Sequence, residues 1–174
     1  MTFKPFKKGV TLLETVIYIA ILALVSVLVI NSILIMIRSF NSYRVLRHVN
    51  ITGAIAMERI TREIRFADTI DVGSIFETHP GRLVLQTIDP VTENPATIDF
   101  FMSGNDLMFQ KGGESAVSLT PGETELTNLI FREVATSTNS LSKVVKIELT
   151  VKEKRGSYEK SANFYNTTIL RRSY

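Results

Sequence analysis

The most informative absences in this 174-residue sequence are those of cysteine, of metal-binding histidine patterns and of catalytic motifs. With no cysteine, the chain has no disulfide, no thiol nucleophile and no cysteine-ligated zinc. Its two histidines, His48 and His79, lack a metal-ligand spacing such as H-E-x-x-H, and we expect both to be exposed to solvent. No nucleophile elbow, phosphate-binding loop or dinucleotide-binding glycine pattern is present. The sequence therefore predicts a non-enzymatic protein without a cofactor or metal.

Charged residues are missing from one long stretch near the amino terminus. Residues 15–37, between Glu14 and Arg38, form an uncharged 23-residue run that is apolar apart from a few mildly polar residues. As a helix rising ~1.5 Å per residue, this run spans roughly 34 Å, enough to cross a ~30 Å hydrocarbon core with some tilt. We therefore predict one transmembrane helix.

Two other interpretations of the apolar run fit its surroundings less well. A helix buried in a soluble core needs protein on every side, and the rest of the chain is too small to supply it. A signal peptide has an apolar region of ~7 to 15 residues before a small-x-small cleavage site, whereas this run is longer and lacks such a site. We expect the helix to be retained. Three basic residues flank each side of it closely, so charge does not settle its orientation.

The remaining charge is unevenly distributed. Residues 38–67 contain six basic and two acidic residues, net +4, which suits anionic lipid, acidic neighbours or simply a solvated helix face. Residues 68–174 contain 11 basic and 14 acidic residues, net −3. This acidic balance weakens the case for nucleic acid as a partner, although the whole chain has a formal charge of +3.

The helical pattern continues beyond the apolar run. A stripe of residues at alternating spacings of three and four reaches Ala67, and no proline falls between Pro5 and Pro80. The stripe consists of Tyr43, Leu46, Asn50, Gly53, Met57, Ile60, Ile64 and Ala67. We predict one helix from about residue 10 to residue 67, about 85 Å long.

From about residue 68 the pattern changes to short alternating runs that are typical of β-strands. Residues 145–151, for example, alternate apolar and polar side chains, as in a strand with one face in water. The predicted strands are residues 83–88, 98–102, 107–110, 129–134, 144–152 and 164–171, with a hairpin over 98–110. We expect one antiparallel sheet packed on the helix, hence an α+β fold with a β-rich head.

The residues around the start of the apolar run carry a family resemblance. Residues 7–14, Lys-Lys-Gly-Val-Thr-Leu-Leu-Glu, followed directly by the apolar helix, resemble the amino-terminal signal of type IV prepilins and pseudopilins. The resemblance implies a basic leader, recognised through Lys7 and Lys8, that a membrane prepilin peptidase removes after Gly9. It also implies N-methylation of the new terminus at Val10, where the family usually has phenylalanine.

Physical reasons can be given for two of these matches. Gly9 has no side chain, so a peptidase can approach its backbone closely. Cleavage creates a positive amine at Val10, and Glu14 places a carboxylate one turn into the helix, where the helix dipole favours negative charge. The resemblance implies that Glu14 pairs with the terminal amine of a neighbouring subunit. On position alone, Glu14 is equally an ordinary residue flanking the span.

Shorter matches farther along the chain resemble the J-type minor pseudopilins of type II secretion and related minor pilins. They are residues 60–67, 119–120, 129–131 and 168–171. The resemblance implies a cleaved leader over 1–9, a transmembrane half-helix over 10–37, its amphipathic continuation over 38–67 and a globular head over 68–174. It further implies a single-pass protein of the bacterial cytoplasmic membrane, with the head outside the cytoplasm, that assembles into a filament or tip complex for protein secretion.

The implied partners are other pilin or pseudopilin subunits, the prepilin peptidase, an inner-membrane assembly platform and the lipid bilayer. One alternative is a component of a DNA-uptake pilus, which needs a basic surface on the head. Another is a single-span membrane protein with an unrelated head, which predicts no cleavage after Gly9.

Overall fold

The computed structural model describes residues 9, 11–89, 93–120, 122–134 and 143–170. The chain divides into two compact units, Met1–Asn41 and Ser42–Tyr174. A single helix, α1 (Leu12–Phe66), supplies residues to both units, and every strand belongs to the second. The predicted α+β layout, with a long apolar amino-terminal helix before antiparallel strands, is therefore confirmed.

Helix α1 begins and ends close to the predicted bounds. Its last turn contains Arg65, whose positive charge suits the negative end of the helix dipole. Beyond Phe66, the Ala67 N–H donates to the carbonyl oxygens of Glu63 and Ile64, at 3.0 and 3.3 Å, and closes the helix. The predicted residue Val10 lies outside the described part of the chain.

The buried face of α1 matches the predicted stripe only from Gly53 onward. Gly53, Met57, Ile60 and Ile64 are buried, but Tyr43, Leu46 and Asn50 are exposed. Val45 and Val49 are buried in their place. The reason is geometric: steps of four residues back from Gly53 reach Val49 and Val45, which keep the same face of the helix toward the sheets.

The strands form two antiparallel sheets where one was expected. The first has five strands in sequence order: β1 (Thr69–Ile70), β2 (Leu83–Ile88), β3 (Pro95–Ser103), β4 (Asp106–Lys111) and β5 (Val117–Ser118). The second is a three-stranded meander of β6 (Thr124–Val134), β7 (Val144–Arg155) and β8 (Tyr158–Ile169). The predicted hairpin is confirmed as β3 and β4, which turn at Gly104 with φ of 60°.

Backbone hydrogen bonds between loop residues and β6 explain why the two sheets remain separate. The N–H groups of Glu77 and Gly81 donate to the carbonyls of Phe131 and Leu129 in β6, both at 2.9 Å. Leu126 N–H, also in β6, donates to the Asn105 carbonyl at 2.7 Å. These bonds occupy the outer edge of β6, so no strand of the first sheet pairs with it.

One apolar core joins the second part of the helix to both sheets. Ile60 and Ile64 of α1, Phe100 of the first sheet and Phe131 of the second have no exposed surface. Val145, Ile147, Leu149 and Val151 in β7 are also buried, as their alternation predicts. The core therefore belongs wholly to the second unit.

Candidate functional site

The first turn of α1 is fixed by Thr11. The Glu14 N–H donates to Thr11 Oγ1 at 3.3 Å, and the Thr15 N–H donates to the Thr11 carbonyl at 3.1 Å. Thr11 is thus the N-cap residue, and its hydroxyl satisfies one of the backbone donors that a helix start leaves free. The spacing Thr-x-x-Glu is that of a capping box, a signal that the sequence interpretation missed.

Gly9 lies just before this cap, outside the helix and exposed to solvent. A Cβ atom added at Gly9 would have no heavy atom within 4 Å, so the surroundings do not require glycine here for packing. The other residues of the expected cleavage site and leader, Val10, Lys7 and Lys8, lie outside the described residues. The structure therefore places Gly9 and Glu14 on the two sides of the N-cap.

Glu14 lies on the exposed surface of the first helical turn and accepts a side-chain hydrogen bond. The Tyr18 hydroxyl, one turn farther along, donates to Glu14 Oε1 at 3.0 Å. Within the described part of the chain, Glu14 makes no ion pair. Its carboxylate therefore has acceptor capacity left for a cation from outside the chain.

The apolar run leaves its side chains without protein contacts. Leu24, near its middle, is 63% exposed, and no residue of the most apolar window is buried. The mean hydropathy of that window is 2.8, and α1 is one helix long and apolar enough to cross a membrane by length and composition. The helix is continuous through Asn31 and Ser32. A continuous exposed apolar surface of this kind is typical of a segment that contacts a membrane or another protein.

Hydroxyl groups within the run are satisfied by the helix itself. Thr15, Ser26 and Ser32 donate to the carbonyls of the residues four positions earlier, at 3.2, 2.7 and 2.9 Å. Serine and threonine hydroxyls in helices commonly bond in this way, so they need no hydrogen bond to water. Tyr18 differs, because its hydroxyl is bonded to an ionisable side chain.

The second unit holds two histidine contacts that the sequence did not indicate. His48 Nδ1 lies 2.5 Å from Oε2 of Glu153, a carboxylate that is 1% exposed, and 3.4 Å from Thr124 Oγ1. His79 Nδ1 accepts the Leu129 N–H at 3.1 Å. Both histidines are exposed as residues, as expected, but each also has a protein partner. Neither joins a cluster of three potential metal ligands among the residues that the structure describes.

Basic side chains on the sheets are largely neutralised by neighbouring carboxylates. The pairs are Arg82 with Asp99, Lys111 with Asp89, Arg132 with Glu77 and Glu148, Lys152 with Glu159, and Arg155 with Glu123. Hydrogen bonds from Lys146 and Arg132 lower the pKa of Glu148, and the hydrogen bond to Asp89 raises the pKa of Lys111. Paired cations of this kind provide little free positive charge for a polyanion.

Two open grooves flank the buried part of the helix. One, of about 450 Å³, is lined by Ile55, Arg59, Phe109 and Leu119, among others. The other, of about 660 Å³, lies between the helix and β8 and is lined by Met57, Arg65 and Phe164, among others. Both combine apolar walls with arginine side chains, which suits a protein surface better than an enclosed small-molecule site.

No family model, curated protein or solved structure matches this chain. The fold itself does not identify a function, so the function has to be argued from the exposed apolar helix and its first turn.

Proposed function

We propose that this chain is a non-enzymatic, prepilin-like structural subunit, a minor pseudopilin or minor type IV pilin. In this proposal it is a single-pass protein of the bacterial cytoplasmic membrane with its head outside the cytoplasm. It assembles by its helix into a membrane-anchored filament or tip complex for protein secretion. The observation that carries the proposal is a carboxylate, Glu14, in the first turn of α1, directly before the uncharged and exposed apolar run 15–37 and five residues after Gly9 of Lys-Lys-Gly.

Burial of the exposed apolar helix provides the driving force for membrane insertion and assembly. Each large apolar side chain moved out of water stabilises the resulting state by about 1.5–3 kcal/mol. Lipid provides this environment first, and the helices of neighbouring subunits provide it after assembly. Because the environment is apolar in both states, the helix can move from one to the other without exposing its side chains to water.

Glu14 makes the association of the helices specific. A carboxylate at the centre of a bilayer costs about 2.5–3.5 kcal/mol on insertion scales, and a paired cation reduces this cost. Removal of residues 1–9 would create such a cation at Val10, and methylation would leave its charge in place. Pairing between Glu14 and the Val10 amine of a neighbouring subunit then favours one register of helices over others.

We propose four kinds of partner for the chain. They are other pilin or pseudopilin subunits, the prepilin peptidase, an inner-membrane assembly platform and lipid. Nucleic acid is a weaker candidate, because the head has a net charge of −3 over residues 68–174 and most of its cations described above are paired. The alternative, a DNA-uptake pilus, predicts that the head binds DNA at low salt.

The test is mass spectrometry of the amino terminus after expression in membranes with and without a prepilin peptidase. We expect a peptide that begins with N-methylated Val10, formed only when the peptidase is present. Gly9→Val is the matched control. The branched valine side chain should keep the peptidase away from the backbone at this position. The surroundings of Gly9 have room for a side chain, so the substitution should not disturb the fold.

Either outcome is informative. Processing of the wild type and not of Gly9→Val would support the class. An unprocessed terminus in the wild type, with the peptidase active on a known substrate, would reject it and leave a single-span protein whose head has an unrelated function.

A further inference from the structure

The contact between Tyr18 and Glu14 sets one hydroxyl of the apolar run apart from the others. Thr15, Ser26 and Ser32 satisfy their hydroxyls on backbone carbonyls of the same helix. The Tyr18 hydroxyl, at the end of a rigid ring, donates instead to Glu14 Oε1 at 3.0 Å. A spacing of four residues brings these two side chains together on one face of the helix.

Apolar surroundings make this contact matter more than it would in water. A phenol and a carboxylate both lose hydrogen bonds to water when the helix enters lipid, and an unsatisfied polar group there costs several kcal/mol. The hydrogen bond between them replaces one lost bond to water for each group. Hydrogen bonds to ionised acceptors are also stronger than those to neutral acceptors. It also restricts the rotation of the Glu14 side chain before any partner arrives.

The hydrogen bond occupies only part of the carboxylate. Tyr18 is the one side chain that bonds to the Glu14 carboxylate among the residues that the structure describes, and it bonds to Oε1. An ionised carboxylate has about four acceptor positions, so Oε2 stays open to a further donor. The donor that suits it is an ammonium group, which carries the opposite charge and several N–H bonds.

We propose that Tyr18 is a positioning residue that holds Oε1 of Glu14 and leaves Oε2 open to the terminal ammonium group of a neighbouring copy of the chain. This inference rests on the proposed function, because processing after Gly9 must create that ammonium group. Tyr18 restricts the carboxylate in advance, so less rotational freedom is lost when the two helices associate.

The experiment measures self-association of the processed chain, with its head intact, in lipid vesicles by energy transfer between dyes. The chain has no cysteine, so Gly113→Cys gives a single labelling site, where an added side chain has no heavy atom within 4 Å. Tyr18→Phe removes only the hydroxyl. Tyr43→Phe is the matched control, since Tyr43 is an exposed tyrosine of the same helix.

We expect Glu14→Gln to weaken association and Tyr18→Phe to weaken it about three- to tenfold, the range that corresponds to ordering one flexible side chain at an interface. Tyr18→Phe should have no further effect in the Glu14→Gln background or in unprocessed chains. Tyr43→Phe should match the wild type. A merely structural role of Tyr18 would not depend on processing.

Several results would overturn the inference, and they differ from those that overturn the proposed function. If Glu14→Gln weakens association and Tyr18→Phe does not, the Tyr18 role fails while the proposed pairing stands. Independent, additive losses from the two substitutions also reject it. If the processed wild type does not associate, a second copy is not the neighbour and the inference fails. If it associates but Glu14→Gln has no effect, the charge pairing itself is wrong.

Discussion

The two units of this chain use the same apolar residue types in opposite ways. Leu24 in the first unit is 63% exposed, whereas Leu83 in the second has no exposed surface. The second unit brings helix and sheet residues together in a core, so its apolar side chains stabilise the fold from within. In the first, none of the residues that the structure describes is buried, so its apolar side chains gain stability only when something covers them, such as lipid or another protein.

Exposure therefore has a different meaning in each unit. An exposed leucine on the surface of a folded domain is ordinary, because apolar atoms make up much of any protein surface. A continuous run of exposed apolar residues is different, because it marks a surface that is covered in the working protein. An acidic residue introduced at similarly exposed positions should therefore impair membrane integration in the first unit and have little effect in the second.

Leu24→Asp should have the strongest effect. An acidic residue near the middle of the span costs about 2.5–3.5 kcal/mol of insertion free energy, so the membrane-integrated fraction should fall steeply. The measurement is the share of the protein that resists alkaline extraction from membranes.

Ile55→Asp is the matched control for Leu24→Asp. Ile55 lies in the same helix and is 57% exposed, but it belongs to the second unit. A surface substitution there should change the free energy of unfolding by no more than about 0.5 kcal/mol and leave membrane integration unchanged. Equal loss of integration in both variants would contradict the contrast between the units.

A smaller effect is expected where the helix packs against β8. Alanine favours a helix over glycine by about 1 kcal/mol, so Gly53→Ala should stabilise an isolated helix. Here, however, an added Cβ atom would overlap the ring of Phe164. We expect Gly53→Ala to destabilise the second unit by about 1–3 kcal/mol, the usual range for overpacking. Hydrogen exchange of β7 and β8 amides in the full-length chain in detergent measures this change.

Removal of the ring provides the control. In a Phe164→Ala background the overlap is gone, and Gly53→Ala should then be neutral or stabilising by up to about 1 kcal/mol. The same loss of stability in both backgrounds would mean that Phe164 is not what excludes a side chain at position 53.

Local patterns predicted most elements of the fold, because these depend on residues near in sequence, but the two-residue strands β1 and β5 and the first five residues of β6 were missed. The helix, the hairpin and most of β7 follow from spacing, turn residues and alternation. The start of β8 was missed by six residues, since residues 158–163 are mostly polar or small and half-buried at best. The separation into two sheets was also missed, because it depends on bonds from the loop residues Glu77 and Gly81 to β6.

The candidate site was predictable in part for the same reason. Glu14 stands out as the last charge before a long uncharged run, and its contacts with Thr11 and Tyr18 lie within four residues. Those contacts could have been inferred from the capping spacing and from the helical repeat. The contact of His48 with Glu153 spans 105 residues, and no local pattern indicates it.

A still weaker effect is expected from a charge in the head, at Glu148. Hydrogen bonds from Lys146 and Arg132 lower the pKa of Glu148 below its usual value of 4.5. A carboxylate whose pKa is lowered by folding adds stability above its unfolded pKa, and this stability is lost as the pH falls through the folded pKa. Because the Lys146 and Arg132 side chains are 42% and 37% exposed, water screens their attraction to Glu148, so Glu148→Gln should cost only about 0.5 kcal/mol at neutral pH.

The pH dependence distinguishes this charge effect from a change in packing. The difference in unfolding midpoint between wild type and Glu148→Gln should be constant above about pH 5 and should shrink toward zero below pH 4.5, as Glu148 is protonated. Near-ultraviolet circular dichroism can follow it, because Tyr165 lies opposite Glu148 in the β7–β8 pair. A difference that stays constant to low pH would show that the glutamine acts through packing. The charge of Glu148 would then contribute almost nothing to the stability of the second unit, and its ion pairs with Lys146 and Arg132 would be surface contacts without a net effect.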